Sequence, residues 1–213
     1  MSKQHIILIG GGGHCKACID IIEQEGIYDI AGIVDTEEKM GQQILNYPVI
    51  ATDNQLEELV KKYSYFLITL GQLVDANLRI SLFNRLKELG ATLPVVISPN
   101  AYVSPHASID QGTIVMHHAV VNAGVTIGEN NIINTHSTIE HDVTIGKHCH
   151  ISTSTCVNGE VTIGDECFIG SNSVLIQGVK VGSKTTVGAG STVINNLDSQ
   201  GKYVGSPAKK LAK

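Results

Sequence analysis

From Val103 to Val193 an aliphatic residue occupies every sixth position without a break. Val103, Val121, Ile139, Val157, Leu175 and Val193 form one series, and two interleaved series complete it. Sixteen consecutive matches leave the fold little freedom. A six-residue period fits neither the 3.6 of an α-helix nor the simple alternation of a long strand. It fits a parallel β-helix, in which each hexad supplies one short strand and one turn, and three hexads close a triangular coil. Each aliphatic then points inward and stacks on its equivalent eighteen residues away. Gly often follows it, as at Ile127-Gly128, Ile145-Gly146 and Ile163-Gly164, and a small residue comes four places on, as at Ala107, Thr113, Ala119, Ser137, Cys149 and Thr155. Asn131 departs from that pattern. Sixteen hexads predict about five coils, whose open faces must be capped, covered or paired with other subunits.

The first hundred residues follow a different pattern. His5 to Ile9 reads as a buried strand, Gly10 to Gly13 as a glycine turn, and the stretch through Ala17, Ile21 and Ile22 as a helix. Ala31 to Val34 is a second strand ending on Asp35, residues 53–63 a helix, and Tyr65 to Leu70 a third strand closed by Gly71. Residues 75–89 are expected to be helical with Leu78, Leu82, Leu86 and Leu89 inward, and Leu93 to Ile97 leads into the first coil. Strands alternating with helices imply a small parallel α/β sheet. The chain therefore divides into a Rossmann-like α/β domain over 1–97 and a left-handed parallel β-helix over 98–213.

Composition narrows the function. A net charge of −5 gives no basic footprint for nucleic acid. No apolar run is long enough to span a bilayer, and the segment starting at Met1 lacks the features of a signal peptide, so a cytoplasmic protein is expected. Five cysteines, an odd number, argue against a disulfide framework. Cys15-x-x-Cys18 has no second such pair and reads as helix packing, with each Cys acting as a small hydrophobe. Cys149 and Cys167 fall in the small interior slot of adjacent coils.

Gly10-x-Gly12 matches the start of a dinucleotide fingerprint, but Cys15 stands at the third position. The physical reading survives without that label: a glycine turn lets backbone N–H groups at a helix N-terminus approach a phosphate, and an acid ending the second strand can take hydrogens of a ribose or base. The hexad motif resembles the hexapeptide-repeat acyltransferases. Together with Gly12-Gly13-His14, Val34-Asp35-Thr36, Leu70-Gly71, Ile139-Glu140-His141-Asp142 and Val204-Gly205-Ser206-Pro207-Ala208-Lys209, the whole chain resembles the sugar acetyltransferases of the sialic acid O-acetyltransferase type. That family includes the UDP-4-amino-sugar N-acetyltransferases of bacillosamine-like pathways. The resemblance implies a homotrimer, acetyl-CoA in the groove between neighbouring β-helices, and a nucleotide sugar on the N-terminal domain.

The candidate residues follow. Acetyl transfer needs a base for the attacking group and a donor for the oxyanion. His141, between Glu140 and Asp142, suits the base, since a carboxylate can fix its tautomer and raise its basicity. The resemblance assigns His141 and Asp142 to catalysis, His150 to the acetyl carbonyl, and Gly159 and Ser171 to the acetyl-CoA groove. It places Gly12, Gly13, His14, Asp35, Thr36 and Gly71 on the nucleotide sugar. The leading expectation is an N-acetyltransferase for a nucleotide-linked amino sugar, with a sialic-acid-type O-acetyltransferase as the near alternative. A metal-dependent lyase of the carbonic-anhydrase type is a third reading, because His118 and His136 are eighteen apart and His141 follows. The third ligand expected two coils before His136 is Asn100, so no metal is expected.

Overall fold

The computed structural model describes residues 3–72, 75–198 and 200–212. In the N-terminal part, β1 (Gln4–Ile9), β2 (Tyr28–Val34), β3 (Gln43–Ile44), β4 (Tyr47–Ala51) and β5 (Tyr65–Ile68) form one sheet in the order β3-β4-β2-β1-β5. All its pairings are parallel except β3 with β4. The hairpin Gln43–Ala51 has no counterpart in the sequence reading, which found only three strands here. Its two arms are short and mostly half-exposed, so they carry little periodic signal.

β1 lies between its neighbours and is apolar on both faces. Ile6 and Leu8 meet α1 (Gly13–Glu25) through Cys15, Cys18, Ile19 and Ile22. Ile7 and Ile9 meet α2 (Leu56–Lys62) and α3 (Asn77–Glu88) through Leu56, Leu82, Phe83 and Leu86. One expectation fails on α3. Leu78 is 56% exposed and Arg79 only 2% exposed, so the buried stripe is Arg79, Leu82, Phe83 and Leu86. The leucine pattern marks nearly the same face, rotated by one residue, because an arginine at the interface has no hydrophobic signature.

The β-helix follows the hexads. Its first face stacks six rungs from Tyr102–Val103 to Thr192–Val193. Its second stacks five rungs from Ser108–Ile109 to Lys180–Val181. Its third begins at β6 (Val96–Ile97), continues through Ile114–Val115, Ile132–Ile133, His150–Ile151 and Phe168–Ile169, and ends beyond Thr185–Val187. Partners are eighteen residues apart, as in Val121↔Ile139 and Ile133↔Ile151. Backbone bonds such as Val120 N to Ser137 O (2.9 Å) tie each coil to the next. Tight edges put non-glycine residues in the left-handed region, among them His136 (φ 58°), Asp142 (φ 59°) and Asn130 (φ 55°). Asn131 fills the small slot without strain: its Nδ2 donates to Gly128 O (2.7 Å) and Gly146 O (2.8 Å), and its Oδ1 accepts from Cys149 N (2.6 Å). A buried amide is tolerated when its bonds are made.

The three outer surfaces differ. The second face shows Thr126, Thr144 and Thr162 to solvent. The third is covered by the N-terminal part, with Ile114, Met116 and Ile132 packed into the α1 cluster. Asp20 Oδ2 meets His117 Nε2 at 2.8 Å, and Gln24 Oε1 accepts from Asn100 Nδ2 at 3.0 Å along the same seam. The first face is uncovered, with Tyr102, Val174, Ile176 and Ile194 exposed. Among the described residues no helix is long and apolar enough to cross a membrane.

Ile133→Ala removes an inward side chain stacked between two coils and is expected to destabilise the fold by about 2–5 kcal/mol. Thr144→Ala on the exposed face should stay within about 0.5 kcal/mol. Denaturant midpoints at equal m-values measure both.

Candidate active site

The glycine turn is shaped by its neighbours. Gly10 takes φ +99°, and a Cβ there would collide with the Leu70 side chain. Gly11 N–H donates to Asp35 Oδ2 at 2.6 Å. Gly12 precedes α1 as its N-cap, with no side-chain cap, and Gly12 and Gly13 face open space. The free N–H groups of this helix start make a favourable place for a phosphate.

The turn opens into a cleft of about 620 Å³, lined by Gly12, Gly13, His14, Gly71, Gln72, Asn134 and His150 among others. Five of the sequence-predicted residues thus meet across the two parts of the chain: glycines 12, 13 and 71, His14 and His150. A groove of about 410 Å³ shares Asp75 with this cleft and continues past Glu166, Lys184 and Lys202.

Asp35 and Thr36 stand apart, in a smaller hollow with Thr52 and Asp53. The Asp35 carboxylate, only 9% exposed, accepts from Gly11 N, from Thr36 N at 2.7 Å and from Lys39 Nζ at 2.9 Å. Burial pushes its pKa up, but the bonds from Lys39, Thr36 and Gly11 outweigh burial and hold it below the usual range. The acid that the sequence offers to a ribose or base is therefore first of all the brace of the glycine turn. To bind a sugar or base it must share or exchange one of these bonds.

His150 is buried, and both its ring nitrogens are engaged. Nδ1 lies 2.8 Å from Gln72 O, so it carries the proton and donates. Nε2 then accepts from Asn134 Nδ2 at 2.9 Å, and Thr135 N–H fixes the amide by donating to Asn134 Oδ1 at 2.8 Å. Burial lowers the His150 pKa to about 4, with the Gln72 bond acting against that and the Arg79 charge adding to it. The expected N–H toward an acetyl carbonyl is absent in this tautomer, because its only N–H already serves Gln72. His14 is likewise neutral: burial, then the charges of Arg79 and His150, bring its pKa to about 3, and its sealed Nε2 has no partner among the described residues.

His141 does not line this cleft. It follows the first-face rung Thr138–Ile139, on the edge between the first and second faces, whereas Asn134 and Ser152 lie on the edge between the third and first. His141 is exposed, with Nδ1 2.9 Å from Asp142 Oδ2. The carboxylate accepts a hydrogen bond from Nδ1–H and leaves Nε2 as the open acceptor. That bond is the main cause of a raised His141 pKa. A Cβ on Gly159 would lie 2.6 Å from His141 Nε2, so only glycine leaves the nitrogen clear. Asn122 Nδ2 holds Glu140 Oε2 at 2.8 Å beside it. Ser171 Oγ sits 2.9 Å from Ser152 Oγ on the other edge.

Asn134, Gln72 and Arg79 were not singled out by the sequence. Asn134 carried a signal: it follows Ile133 where the hexad favours Gly. The rings of His118 and His136 stack at 4.9 Å as their spacing implies, but among the described residues no group of three or more His, Cys, Asp or Glu is arranged to hold a metal ion.

A Rossmann-like half holding a phosphate-ready turn against a hexapeptide β-helix defines a two-domain sugar acyltransferase architecture. Residues 5–86 match the PglD N-terminal domain, and residues 160–194 match the hexapeptide repeat of succinyl-transferase. PerB from Caulobacter crescentus, solved with CoA and GDP-perosamine, is 32% identical over 99% of each chain, with a TM-score of 0.92. The acetyltransferase domain of PglB from Neisseria gonorrhoeae FA1090, solved with acetyl coenzyme A, is 32% identical over 99% of this chain and 100% of that one, with a TM-score of 0.90. WeeI from Acinetobacter baumannii AYE shares the fold at 21% identity over 98% of this chain and 100% of that one (TM-score 0.83). No curated protein matches the sequence significantly. The chain belongs to the family of hexapeptide-repeat sugar N-acetyltransferases with a PglD-type N-terminal domain.

Removing the Asp142 carboxylate as Asp142→Asn should lower the His141 pKa. An NMR titration of the His141 ring in wild type and variant measures this, and an unchanged value would break the pairing seen here.

Proposed function

We propose that this protein transfers the acetyl group of acetyl-CoA to the amino group of a nucleotide-linked amino sugar, with His141 as general base. The observation that carries the reading is the His141–Asp142 pair, with Nε2 open above Gly159, on a chain that also offers a phosphate-ready turn. PerB binds CoA and GDP-perosamine, and the PglB domain binds acetyl coenzyme A. By likeness, the glycine turn with Gly12, Gly13 and His14 takes the diphosphate side of the sugar, and the Asp35–Thr36 hollow lies toward the nucleoside.

The chemistry needs one proton shuttle. The amine lone pair attacks the thioester carbonyl carbon, and the carbonyl π electrons move to oxygen. His141 Nε2 takes the amine proton, and Asp142 stabilises the imidazolium through Nδ1–H. When the tetrahedral intermediate collapses, the C–S bond breaks and the sulfur receives the proton from His141. The Gly159 N–H has no acceptor among the described residues. It lies next to His141, so it is the better-placed donor for the oxyanion. His150 then orders Asn134 and Gln72 rather than polarising the thioester itself.

The enzyme is proposed to act as a homotrimer. The cleft and His141 lie on opposite edges of the first face, which is apolar and uncovered. Packing three copies on that face brings the His141 edge of one subunit beside the Asn134 edge of the next, so each site draws on two subunits and closes by symmetry. Acetyl-CoA then lies between the two coils, with the groove past Lys184 and Lys202 open to its longer end. The cysteines are all free, in keeping with a reducing cytoplasm.

His141→Ala should lower kcat by about 10²–10⁴-fold with little change in acetyl-CoA affinity. Turnover of an amino sugar nucleotide but not of its hydroxyl analogue distinguishes N- from O-acetylation. A two-subunit site makes a further prediction. Gly12→Asp, which places a like charge where the phosphate docks, should be inactive alone, as is His141→Ala. Mixed trimers formed from equal amounts of the two should regain about a quarter of wild-type activity, because one interface in four is intact on both sides. A site contained within one subunit would regain none.

A further inference from the structure

Among the described residues, Arg79 is a buried cation that the mechanism above does not use. Arg79 is 2% exposed on α3, and its partners are all neutral. Nη1 donates to Ile68 O at 3.1 Å and Leu70 O at 2.5 Å, and Nη2 donates to Asn130 Oδ1 at 2.8 Å. Nε has no partner, and no carboxylate pairs with the guanidinium among the described residues. Burying a charge without a counter-charge is costly, and a packing role alone would be served by an apolar side chain.

The groups it holds explain its place. Ile68 ends β5, Leu70 follows it, and the chain runs from there through Gly71 and Gln72 into the cleft. Thr69 Oγ1, in the same segment, bonds Gly10 O at 2.7 Å, so the segment also fixes the glycine turn. Gln72 O accepts the hydrogen bond from His150 Nδ1–H. On the other side, Asn130 is an edge residue of the β-helix at φ 55° whose Nδ2 meets His148 Nδ1 at 3.0 Å. The guanidinium therefore bolts the exit of β5 to the coil.

We propose that Arg79 is a positioning residue for acetyl transfer, fixing the Leu70–Gln72 wall of the cleft so that Gln72 holds His150 in one tautomer and the glycine turn keeps its shape. The proposal rests on the site reading given above. The groups facing His150 are Gln72, Asn134 and the Phe168 edge, with Arg79 and His14 as the nearby charged or titratable ones. Loss of the Arg79 charge leaves both histidines easier to protonate.

The test compares three variants with wild type, reading kinetics, the His150 ring by ¹⁵N NMR, and melting. Arg79→Met keeps the bulk and removes both fork and charge. It should lower kcat/KM for the sugar nucleotide by at least about tenfold, as misplacement of a site wall does. It should also turn the His150 signal from Nδ1–H to a tautomer mixture, and the His150 titration should move to higher pH. Arg79→Lys keeps the charge without the fork, so it should lose kcat while the His150 titration stays near its wild-type position. Asn130→Gly tolerates the positive φ and removes the coil-side anchor of Arg79, together with the Asn130 bond to His148, while Arg79 itself stays in place. It should show a smaller loss in the same direction, and it decides the matter if Arg79→Met does not fold. Leu86→Ala, on the same helix but outside this network, should lower the melting temperature and leave kcat and the His150 tautomer alone. Arg79→Met or Asn130→Gly with a wild-type His150 tautomer and kcat, and only a lower melting temperature, would overturn the proposal. If the wild type acetylates no amino sugar nucleotide, the functional reading fails, and the tautomer measurement still decides the positioning role.

Discussion

The eighteen-residue stacking of the β-helix is the constraint on which the rest depends. Every coil hydrogen-bonds to the next through its backbone, and every inward aliphatic rests on its equivalents above and below. Such a column has a core only as long as neighbours are present. It also fixes position very tightly. A residue six places on changes face, and a residue eighteen places on returns to the same line. His141 beside Gly159 and Asn131 beside Cys149 follow from that register, and Ser152 meets Ser171 one residue off the same line. The edge residues at positive φ, His136 and Asp142 among them, are held there by the coil and not by their own preference.

The N-terminal part depends on the column in turn. Its sheet buries both faces, one under α2 and α3 and the other under α1, and α1 itself is covered by Ile114, Met116 and Ile132 of the coil. The cleft exists because this packing sets the start of α1 against the third face. Neither part contains it alone: the turn comes from one and His150 and Asn134 come from the other. Polar links along the seam, such as Asp20 with His117, Lys87 with Glu129 and Arg79 with Asn130, set the register of the docking rather than its strength. Exposed pairs among them contribute little free energy each.

How much of this the sequence shows depends on the type of signal. The β-helix was legible almost residue by residue, since a six-residue period leaves one architecture open. The sheet order, β1 between β2 and β5, was not legible, because long-range pairing leaves no local trace. The hairpin Gln43–Ala51 was missed for lack of periodicity, and the inward face of α3 was misread by one residue because its key member is charged. At the site, the sequence proposes residues, and only the folded chain shows which of them meet. His141, Asp142 and Gly159 cluster as the hexads place them. Asp35 reads as an acid that can take hydrogens of a ribose or base, and its partners Gly11 and Lys39 leave no trace in the sequence because they meet it only once the turn has folded.

The same feature explains why three histidines of one protein differ so much in chemistry. His14 and His150 are enclosed, near a cation, and without a carboxylate, so they stay neutral far below physiological pH. His141 stands in solvent with a carboxylate on Nδ1, so its affinity for a proton rises. A general base has to gain and lose a proton in each turnover, and an orienting group must not change charge at all. The β-helix supplies both conditions by geometry. The edge that carries His141 projects into solvent and has Asp142 at the next residue, while the covered third face keeps water from His150. For His141 and His150, the position in the hexad and the element that covers that face thus set how readily the ring takes a proton, the property on which their proposed roles draw.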